Sequence, residues 1–201
     1  VSLAAGPAVK TPRGEIRAEK IIVATDGRSG SFEQITCRRM VGINSFVIVT
    51  EPLGPASDAI LPGGQSAADS RFVVRYWRKT ADGRLVFGGG ESNAGQIPAD
   101  VRSFVRPHLL EIYPQLAKAT IAHGWGGIVS VTAPRLPFVR EILPDVWAGG
   151  GYSGQGVALA PFVGKLLAEA AQGRTERISA LAELPIPSLP LATWLRRSLV
   201  T

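Results

Sequence analysis

The sequence predicts an α+β fold that combines an α/β part with an antiparallel β part. A short apolar strand near the N-terminus is typical of a parallel sheet. The middle of the chain alternates apolar and polar residues around tight turns, and the last third runs strand, glycine-rich loop, helix. This order indicates a discontinuous domain interrupted by a second one. We therefore expect residues 1–31 with 141–175 in one domain, 32–140 in an antiparallel domain, and a Pro-rich tail at 176–201.

The first quarter of the chain predicts a hairpin and two further strands. "AVKT" and "EIRA" flank the turn signal "PRG" and should pair. "KIIVAT" follows as a short strand of the buried, parallel kind, which Asp26-Gly27 ends. "NSFVIVTEPL", residues 44–53, is β-rich and closed by Pro52.

The central section predicts a hairpin followed by a helix. Residues 72–77 alternate in polarity, and Asp82-Gly83 supplies the turn to "LVFGGGE". Pro98 fits the first helical position, so we expect a helix over about 99–116, kinked at Pro107. Six apolar residues fit one face of it: Val101, Phe104, Val105, Leu109, Ile112 and Leu116.

The last third predicts three strands and a closing helix. "IAHGWGGIVSVTAP" reads as one strand, and "LPFVREILPDVWAGG" as two strands joined at Pro144-Asp145. The closing helix should end at a C-cap on Gly173. Its predicted buried face is Val157, Ala160, Gly164, Leu167 and Ala171. The segment 184–191 carries Pro185, Pro187 and Pro190, so we expect it to be extended, to lie on the surface and to add little to the core.

Composition excludes several classes of protein. Hydrophobic residues make up 45% and charged residues 19%, which excludes a disordered chain. No apolar run approaches the ~20 residues of a membrane span. The net charge of +6 is scattered, without the aromatic and basic pattern of nucleic-acid binding. The single Cys37 excludes an internal disulfide framework and favours a reducing, cytoplasmic location. Two histidines and one cysteine cannot build a typical structural zinc site.

The block "WAGGGYSGQGVALAPFVGKLLAEAAQG", residues 147–173, carries the clearest functional signal. A glycine-rich loop that enters a helix exposes unpaired N–H groups where the helix dipole is positive. Such a loop lets a bulky, negatively polarised ligand approach the backbone closely. The alternative is tight packing of helix on sheet, and the spacing alone leaves both interpretations open.

Five blocks together resemble the C-terminal half of FAD-dependent amine and amino-acid oxidoreductases of the D-amino acid oxidase superfamily. They are "EKIIVATDG", "SFVIVTEPL", "RYWRKTADGRLVFGGGE", "WGGIVSVTAPRLPFV" and "GGGYSGQGVALAPFVGKLLAEAAQG", in this order, within about residues 10–173. The subgroup that they most resemble is the gamma-glutamylputrescine oxidoreductase type. The resemblance implies a flavin domain of the two-dinucleotide-binding type, here the discontinuous one, with an antiparallel substrate domain.

The resemblance also implies which residues bind FAD. The glycine-rich block runs under the flavin ring, and the N-terminus of its helix faces the pyrimidine edge. This role falls on Gly150, Gly151, Tyr152, Ser153, Gly154, Gln155 and Gly156. The "VATDG" block resembles the segment beside the pyrophosphate, so Ala24, Thr25 and Gly27 are further candidates; a strand end with a turn is the alternative.

Three departures from the family pattern stand out. The dinucleotide fingerprint expected near the N-terminus is absent, so we expect a fragment, a truncated product or one part of a split protein. Gln155 stands where relatives often have His. In "TAPRLPFVR", Pro134 replaces an Asp and Arg140 replaces a Gly.

The resemblance implies oxidation of a small-molecule amine. Amino-acid-oxidising relatives carry an Arg two residues after "W-x-G", whereas Trp125-Gly126-Gly127 is followed by Ile128 and Val129, which favours an amine without an α-carboxylate. Hydride would pass from the carbon next to nitrogen to flavin, and the imine would hydrolyse. No catalytic side chain is indicated. Candidate substrate contacts are Trp77, Tyr76 and Trp125, with sheet packing as the alternative.

Two other classes of function stay open at this point. The chain could be a non-catalytic binding or scaffold module that has lost the flavin, or a subunit completed by a separate FAD-binding chain. The absent fingerprint is the best argument for the scaffold module, and the subunit completed by a separate chain is intermediate between that module and the enzyme. Arg75 and Arg78 could meet an anionic substrate group but are more often solvated, and His108 and His123 are expected to be structural.

Overall fold

The computed structural model describes residues 2–3, 7–26, 34–71, 73–93 and 96–189. Contacts divide the chain into two compact units. The discontinuous unit comprises Val1–Gly42 and Val129–Thr201, and the continuous unit comprises Ile43–Ile128. The roles of these units as FAD-binding and substrate-binding domains, with limits at 31/32 and 140/141, stay a prediction. None of the helices in the described ranges has the length and apolar character needed to cross a bilayer.

Among its described residues, the discontinuous unit contains the short helix α1 (Gln34–Cys37), two further helices and two three-stranded sheets. The first joins β1 (Ser2–Leu3), β2 (Ala8–Thr11) and β3 (Gly14–Arg17), which confirms the predicted N-terminal hairpin. The second has the order β10 (Phe138–Leu143), β11 (Val146–Gly150), β4 (Ile21–Val23). β10 and β11 are antiparallel around Asp145, and β4 runs parallel to β11, as its sequence predicts.

The closing helix packs through a different face from the predicted one. Helix α3 (Gly156–Ala171) buries Val163, Leu166, Leu167 and Ala170, whereas Val157 is 97% exposed. The predicted face is assigned from the apolar Val157 onwards, so most of its residues lie one position after the buried ones. The predicted cap is confirmed: Gly173, at φ +84°, donates its N–H to the Ala170 carbonyl, and Arg174 N–H reaches Glu169.

The prediction of a surface-lying C-terminal segment at 184–191 is wrong for its described part. Helix α4 (Glu176–Ala182) buries Ile178 against α3, and Ile186 joins the core around Val23 and Met40. The Leu189 N–H donates to the Arg38 carbonyl at 2.6 Å. Prolines prevent this segment from joining a sheet, but the apolar residues between them are still buried. Residues 190–201, with Trp194 and Leu195, lie outside the described residues.

The continuous unit is built on a five-stranded sheet of order β6-β7-β8-β5-β9. The strands are β5 (Val41–Thr50), β6 (Ser66–Ala68), β7 (Tyr76–Lys79), β8 (Leu85–Asn93) and β9 (Ile121–Val131). The β7–β8 hairpin is confirmed, with Lys79 opposite Leu85. Its first strand begins at Tyr76 rather than at 72, because Asp69 and Arg75 close a loop before it. The Asp69 N–H donates to the Arg75 carbonyl, and the Arg75 N–H donates to the Asp69 carboxylate. Phe72 lies outside the described residues.

Helix α2 (Val101–Ile112) covers one face of this sheet. Asp100 is its N-cap and accepts the Arg102 N–H at 3.0 Å, so the helix begins after Asp100 and not at Pro98. The helix continues through Pro107, and a short 3₁₀ turn follows at Pro114–Leu116. The predicted face is buried at three positions, Val105, Leu109 and Leu116, whereas Phe104 is partly exposed.

Candidate functional site

The carboxyl ends of β4 and β11 meet at one edge of the second sheet. Val23 is opposite Ala148 in the parallel register, so Ala24, Thr25 and Asp26 follow β4 beside the loop that follows β11. Ligands of α/β sheets bind outside such carboxyl ends. The structure thus brings together the two segments that the sequence marked as cofactor candidates. Gly27 lies outside the described residues.

Asp26 fixes the start of the glycine-rich loop. Its carboxylate Oδ1 accepts the backbone N–H of Gly151 at 2.6 Å. Both residues have positive φ, +52° for Asp26 and +69° for Gly151. From the sequence, Asp26 is predicted only to end a strand. The signal was an acidic residue directly after a parallel strand, a position that can cap a neighbouring loop.

A second set of hydrogen bonds holds the middle of the loop. The Ser153 N–H donates to the Ser130 carbonyl at 3.0 Å, and the Thr132 N–H donates to Ser153 Oγ at 3.3 Å. Thr132 is fully buried and also donates its hydroxyl to the Leu136 carbonyl. Ser153 itself sits at φ +51°. These hydrogen bonds hold the loop backbone through contacts within the chain.

The first three glycines of the loop are required by packing within the chain. A Cβ at Gly149 would lie 2.9 Å from both Leu167 and Val163 of α3, and one at Gly151 would lie 2.6 Å from Thr132. At Gly150 it would approach the Asp26 carboxylate to 2.8 Å. The structure therefore supports tight helix–sheet packing at Gly149, whereas Gly150 and Gly151 are crowded by Asp26 and Thr132 outside any helix.

Gly154 and Gly156 differ from the first three. A Cβ at Gly154 would meet nothing within 4 Å, and one at Gly156 would only touch the Tyr152 ring at 3.7 Å. No side chain caps the N-terminus of α3, where Gln155 is the N-cap. The first N–H groups of the helix and the positive end of its dipole therefore face an open region.

Tyr152 connects the loop to the core. Its ring packs against the cluster of Val139, Trp147 and Val163, and the side chain is half-buried. Burial raises the pKa of the Tyr152 phenol above its ordinary value of 10.0, and the nearby negative charge of Asp26 raises it further. The phenol is therefore neutral at physiological pH, and it offers one hydrogen-bond donor at this edge of the sheet.

These residues fit the edge of a flavin. The loop backbone is held in place, two glycines leave room beside it, and an uncapped helix start supplies N–H donors. That donor set suits the negatively polarised N1–C2=O edge of the ring. Gln155 is exposed, so it lies on the open side of the loop rather than in the core.

One departure from the family pattern has a structural explanation. Arg140 lies on β10, where its Nη2 donates to the Leu184 carbonyl at 2.8 Å and its guanidinium lies 5.0 Å from the Phe138 ring centroid. Arg140 therefore holds the C-terminal segment. Pro134 precedes Arg135, which has φ +58° in the turn after Thr132.

The structure separates the two aromatic residues of β7. Trp77 belongs to the core, where it stacks on Phe87 and donates Nε1–H to the Tyr113 hydroxyl at 3.0 Å. Tyr76 is on the opposite face, 42% exposed, with its ring directly over Gly88. Trp77 therefore has the environment of a packing residue, and Tyr76 that of a surface aromatic.

Trp125 lies on the same sheet face as Tyr76. A Cβ at Gly126 would meet Phe46 of the core, so Gly126 points towards α2 and its neighbour Trp125 points away. Trp125 is 50% exposed. The face that α2 leaves open thus carries two exposed aromatic rings. Arg78 is exposed, whereas Arg75 is buried and contacts His108.

Comparison with known proteins bears on the family of this chain. Residues 1–170 match the family model DAO, described as FAD dependent oxidoreductase. The chain is 45% identical over 192 residues to "Probable oxidoreductase OrdL" of Rhizobium meliloti (strain 1021), covering 96% of this chain and 45% of the relative. It is 33% identical over 190 residues to "Gamma-glutamylputrescine oxidoreductase" of Escherichia coli (strain K12), covering 94% and 45%. The chain spans about half the length of the curated relatives it matches.

Solved structures show the same fold. Glycine oxidase from Bacillus cereus ATCC 14579 matches with a TM-score of 0.71 at 17% identity, covering 92% of this chain and 50% of that one. L-proline dehydrogenase from P. horikoshii matches with a TM-score of 0.68 at 22% identity, covering 85% and 47%. Because the family match covers most of the chain, the chain belongs to the DAO family of oxidoreductases that act on C–N bonds, and the cofactor of this family is FAD.

Proposed function

We propose that this chain contributes the flavin-ring side of the FAD site in an enzyme that oxidises a small amine. The observation that carries the proposal is the open region at Gly154 and Gly156, beside an uncapped helix start and at the carboxyl ends of two parallel strands. FAD, when bound, supplies the acceptor for a hydride from the carbon next to the substrate nitrogen. The resulting imine hydrolyses.

The chain's own residues have three roles in this proposal. Asp26 and Ser153 hold the loop backbone in place. Gly154 and Gly156 leave space for a planar ring, and the first N–H groups of α3 stabilise negative charge at its edge. Ala24 and Thr25, exposed at the end of β4, lie near the pyrophosphate side, and Gly27 is assigned there from the sequence alone.

We propose that the substrate is a polyamine-type or gamma-glutamylated amine rather than an α-amino acid. No Arg follows the "W-x-G" block, where Ile128 is 41% exposed. A relative bears the name "Gamma-glutamylputrescine oxidoreductase". Tyr76 and Trp125 would contact the substrate, because exposed aromatic faces attract ammonium groups. We assign Trp77 a packing role, because it lies on the core side of the strand against Phe87.

The ADP part of FAD requires residues that this chain does not supply, because no dinucleotide fingerprint with its acidic ribose partner occurs in the sequence. We therefore propose that an additional FAD-binding half, in the same or a separate chain, completes the site. We expect the 201-residue chain alone to bind FAD weakly or not at all. The single Cys37 favours a cytoplasmic location.

The test is the absorption spectrum of the purified full-length protein that contains this chain. We expect a yellow protein that bleaches anaerobically with a polyamine-type amine and not with an α-amino acid. Bleaching with α-amino acids alone would contradict the substrate assignment and leave the FAD site intact. A folded, colourless protein that takes up no FAD would favour a scaffold role instead.

A further inference from the structure

A cavity of about 280 Å³ lies within the continuous unit, apart from the residues assigned above to FAD or substrate. It lies between β8, helix α2 and the loop before β7. Its walls combine two apolar side chains with charged groups, and the lining residues are Val73, Phe104, Arg71, Arg75, Glu91 and His108, with Gly90 at one side.

Arg75 is the buried cation of this cavity. It is only 5% exposed, and its Nη2 lies 2.9 Å from Glu111 Oε2 and 3.0 Å from His108 Nδ1. Its Nη1 is also buried, yet has no hydrogen-bond partner among the described residues. An arginine stays protonated in proteins, and a buried donor without an acceptor is costly. A ligand that brings a hydrogen-bond acceptor to Arg75 Nη1 would therefore remove this cost.

His108 supplies a second donor. Because the Arg75 guanidinium can only donate, Nδ1 of His108 is the acceptor and the proton of the neutral ring lies on Nε2. Burial, and then the positive charge of Arg75, lower the pKa of His108, which keeps the ring neutral. A Cβ at Gly90 would lie 3.3 Å from Nε2 and 2.7 Å from Phe104, so the glycine leaves this side of the ring open.

We propose that this cavity binds a small carboxylate with a short alkyl chain. The carboxylate accepts hydrogen bonds from Arg75 Nη1 and His108 Nε2, and the alkyl chain contacts Val73 and Phe104. A single negative charge suits the site best, because Glu91 also lines the cavity and Glu111 already neutralises part of the positive charge of Arg75.

The test uses the two histidines of the chain as probes. Imidazole NMR signals are recorded for the full chain during titration with acetate, butyrate and butan-1-ol, at constant ionic strength set with sodium chloride. His123 is the internal reference, and His108→Gln assigns the signals. We expect butyrate to shift only the His108 signals, saturably. Butyrate should bind about tenfold tighter than acetate because two more methylenes are buried, and butan-1-ol should have no effect.

Two matched variants locate the binding. Val73→Phe fills the cavity and should weaken butyrate binding at least about tenfold. Val74→Phe makes the same change at a neighbour that is 42% exposed and does not line the cavity, so binding should be unchanged. Equal shifts at His108 and His123, no saturable shift, or equal response to butan-1-ol would each overturn the proposal, whether or not Val73→Phe folds.

Discussion

Asp26 and Gly151 lie 125 positions apart in the chain, and a 2.6 Å hydrogen bond joins the carboxylate of the first to the backbone N–H of the second. The bond ties the end of β4 to the end of β11, at the edge where we propose that FAD binds. Both residues have positive φ, which Gly151 adopts without a steric penalty and Asp26 adopts at a cost. The loop is thus positioned by a charged acceptor as well as by its glycines.

Removing this acceptor should loosen the loop. Asp26→Ala leaves the Gly151 N–H without the carboxylate and should lower the free energy of unfolding by about 1–3 kcal/mol. Asp26→Asn keeps an oxygen acceptor and should lose less. Urea denaturation of both variants checks this. Equal losses for Ala and Asn would show that the carboxylate oxygen does not hold the loop.

Gly156→Ala should separate cofactor binding from folding. The new methyl would meet only the Tyr152 ring at 3.7 Å, so stability should be unchanged or rise by about 0.5–1 kcal/mol. FAD binding should weaken at least about tenfold, because the methyl occupies the space proposed for the ring. Fluorescence titration of the FAD-binding protein measures this, and unchanged affinity would refute the proposed ring position.

Gly154→Ala should affect both folding and cofactor binding, in contrast to Gly156→Ala. Gly154 has φ +93°, a conformation that costs side-chain-bearing residues about 1–2 kcal/mol, although a Cβ there would meet nothing within 4 Å. We expect this variant to lose both stability and FAD affinity, whereas Gly156→Ala loses affinity alone. Calorimetric melting of the apoprotein distinguishes the two variants.

Gly149→Ala should be destabilising for a different reason. Its Cβ would lie 2.9 Å from Leu167 and Val163, so the packing of α3 on β11 must shift, at about 1–3 kcal/mol. Gly164→Ala, on the exposed side of the same helix with nothing within 4 Å, should instead stabilise by up to about 1 kcal/mol. Thermal melting of the pair checks both signs, and destabilisation by both variants would contradict the packing model.

The C-terminal segment should contribute to stability. Ile186 is 5% exposed in the core around Val23 and Met40, so Ile186→Ala should cost about 2–4 kcal/mol. The exposed neighbour Pro187 is the control, and Pro187→Ala should change the free energy of unfolding by less than about 0.5 kcal/mol. If Ile186→Ala left the free energy of unfolding unchanged, the segment would have to be interpreted as a surface tail.

His108 should make stability depend on acid pH. Its pKa is lowered in the folded chain, by burial and then by Arg75, relative to an ordinary 6.5. The stabilisation is therefore complete above about pH 6.5 and is lost as pH falls through the lower folded pKa. Urea midpoints measured between pH 7 and 4 should fall less steeply for His108→Gln than for the parent chain.

Local signals predicted most of the secondary structure. Asp82-Gly83 and Pro144-Asp145 were sufficient for two hairpins, and Gly173 for a helix end, because turn and cap chemistry is read from a few adjacent residues. Asp100 shows the limit. A capping aspartate and a nearby proline both indicate a helix start. The helix begins directly after Asp100, because the Asp100 side chain accepts a hydrogen bond from the first turn.

Long-range contacts determined what could not be predicted. The glycines of the loop look equivalent in sequence, yet Leu167, Val163 and Thr132 crowd some and leave others open. The orientation of Trp77 and Tyr76 depends on which sheet face α2 covers, and alternation alone does not specify this. Ile186 is buried because partners from distant parts of the chain surround it.

The parallel pairing of β4 with β11 has a consequence for the order of events during synthesis. Residues 43–128 form their own core from one uninterrupted stretch, so this unit can fold while the ribosome is still adding the rest. β4 precedes this unit in the chain and β11 follows it, so the two strands can pair only after the unit has been synthesised, and Ile186 joins the same cluster later still. While residues 43–128 are being synthesised, the apolar strand β4 therefore still lacks its partner β11, which makes β4 a natural contact for chaperones.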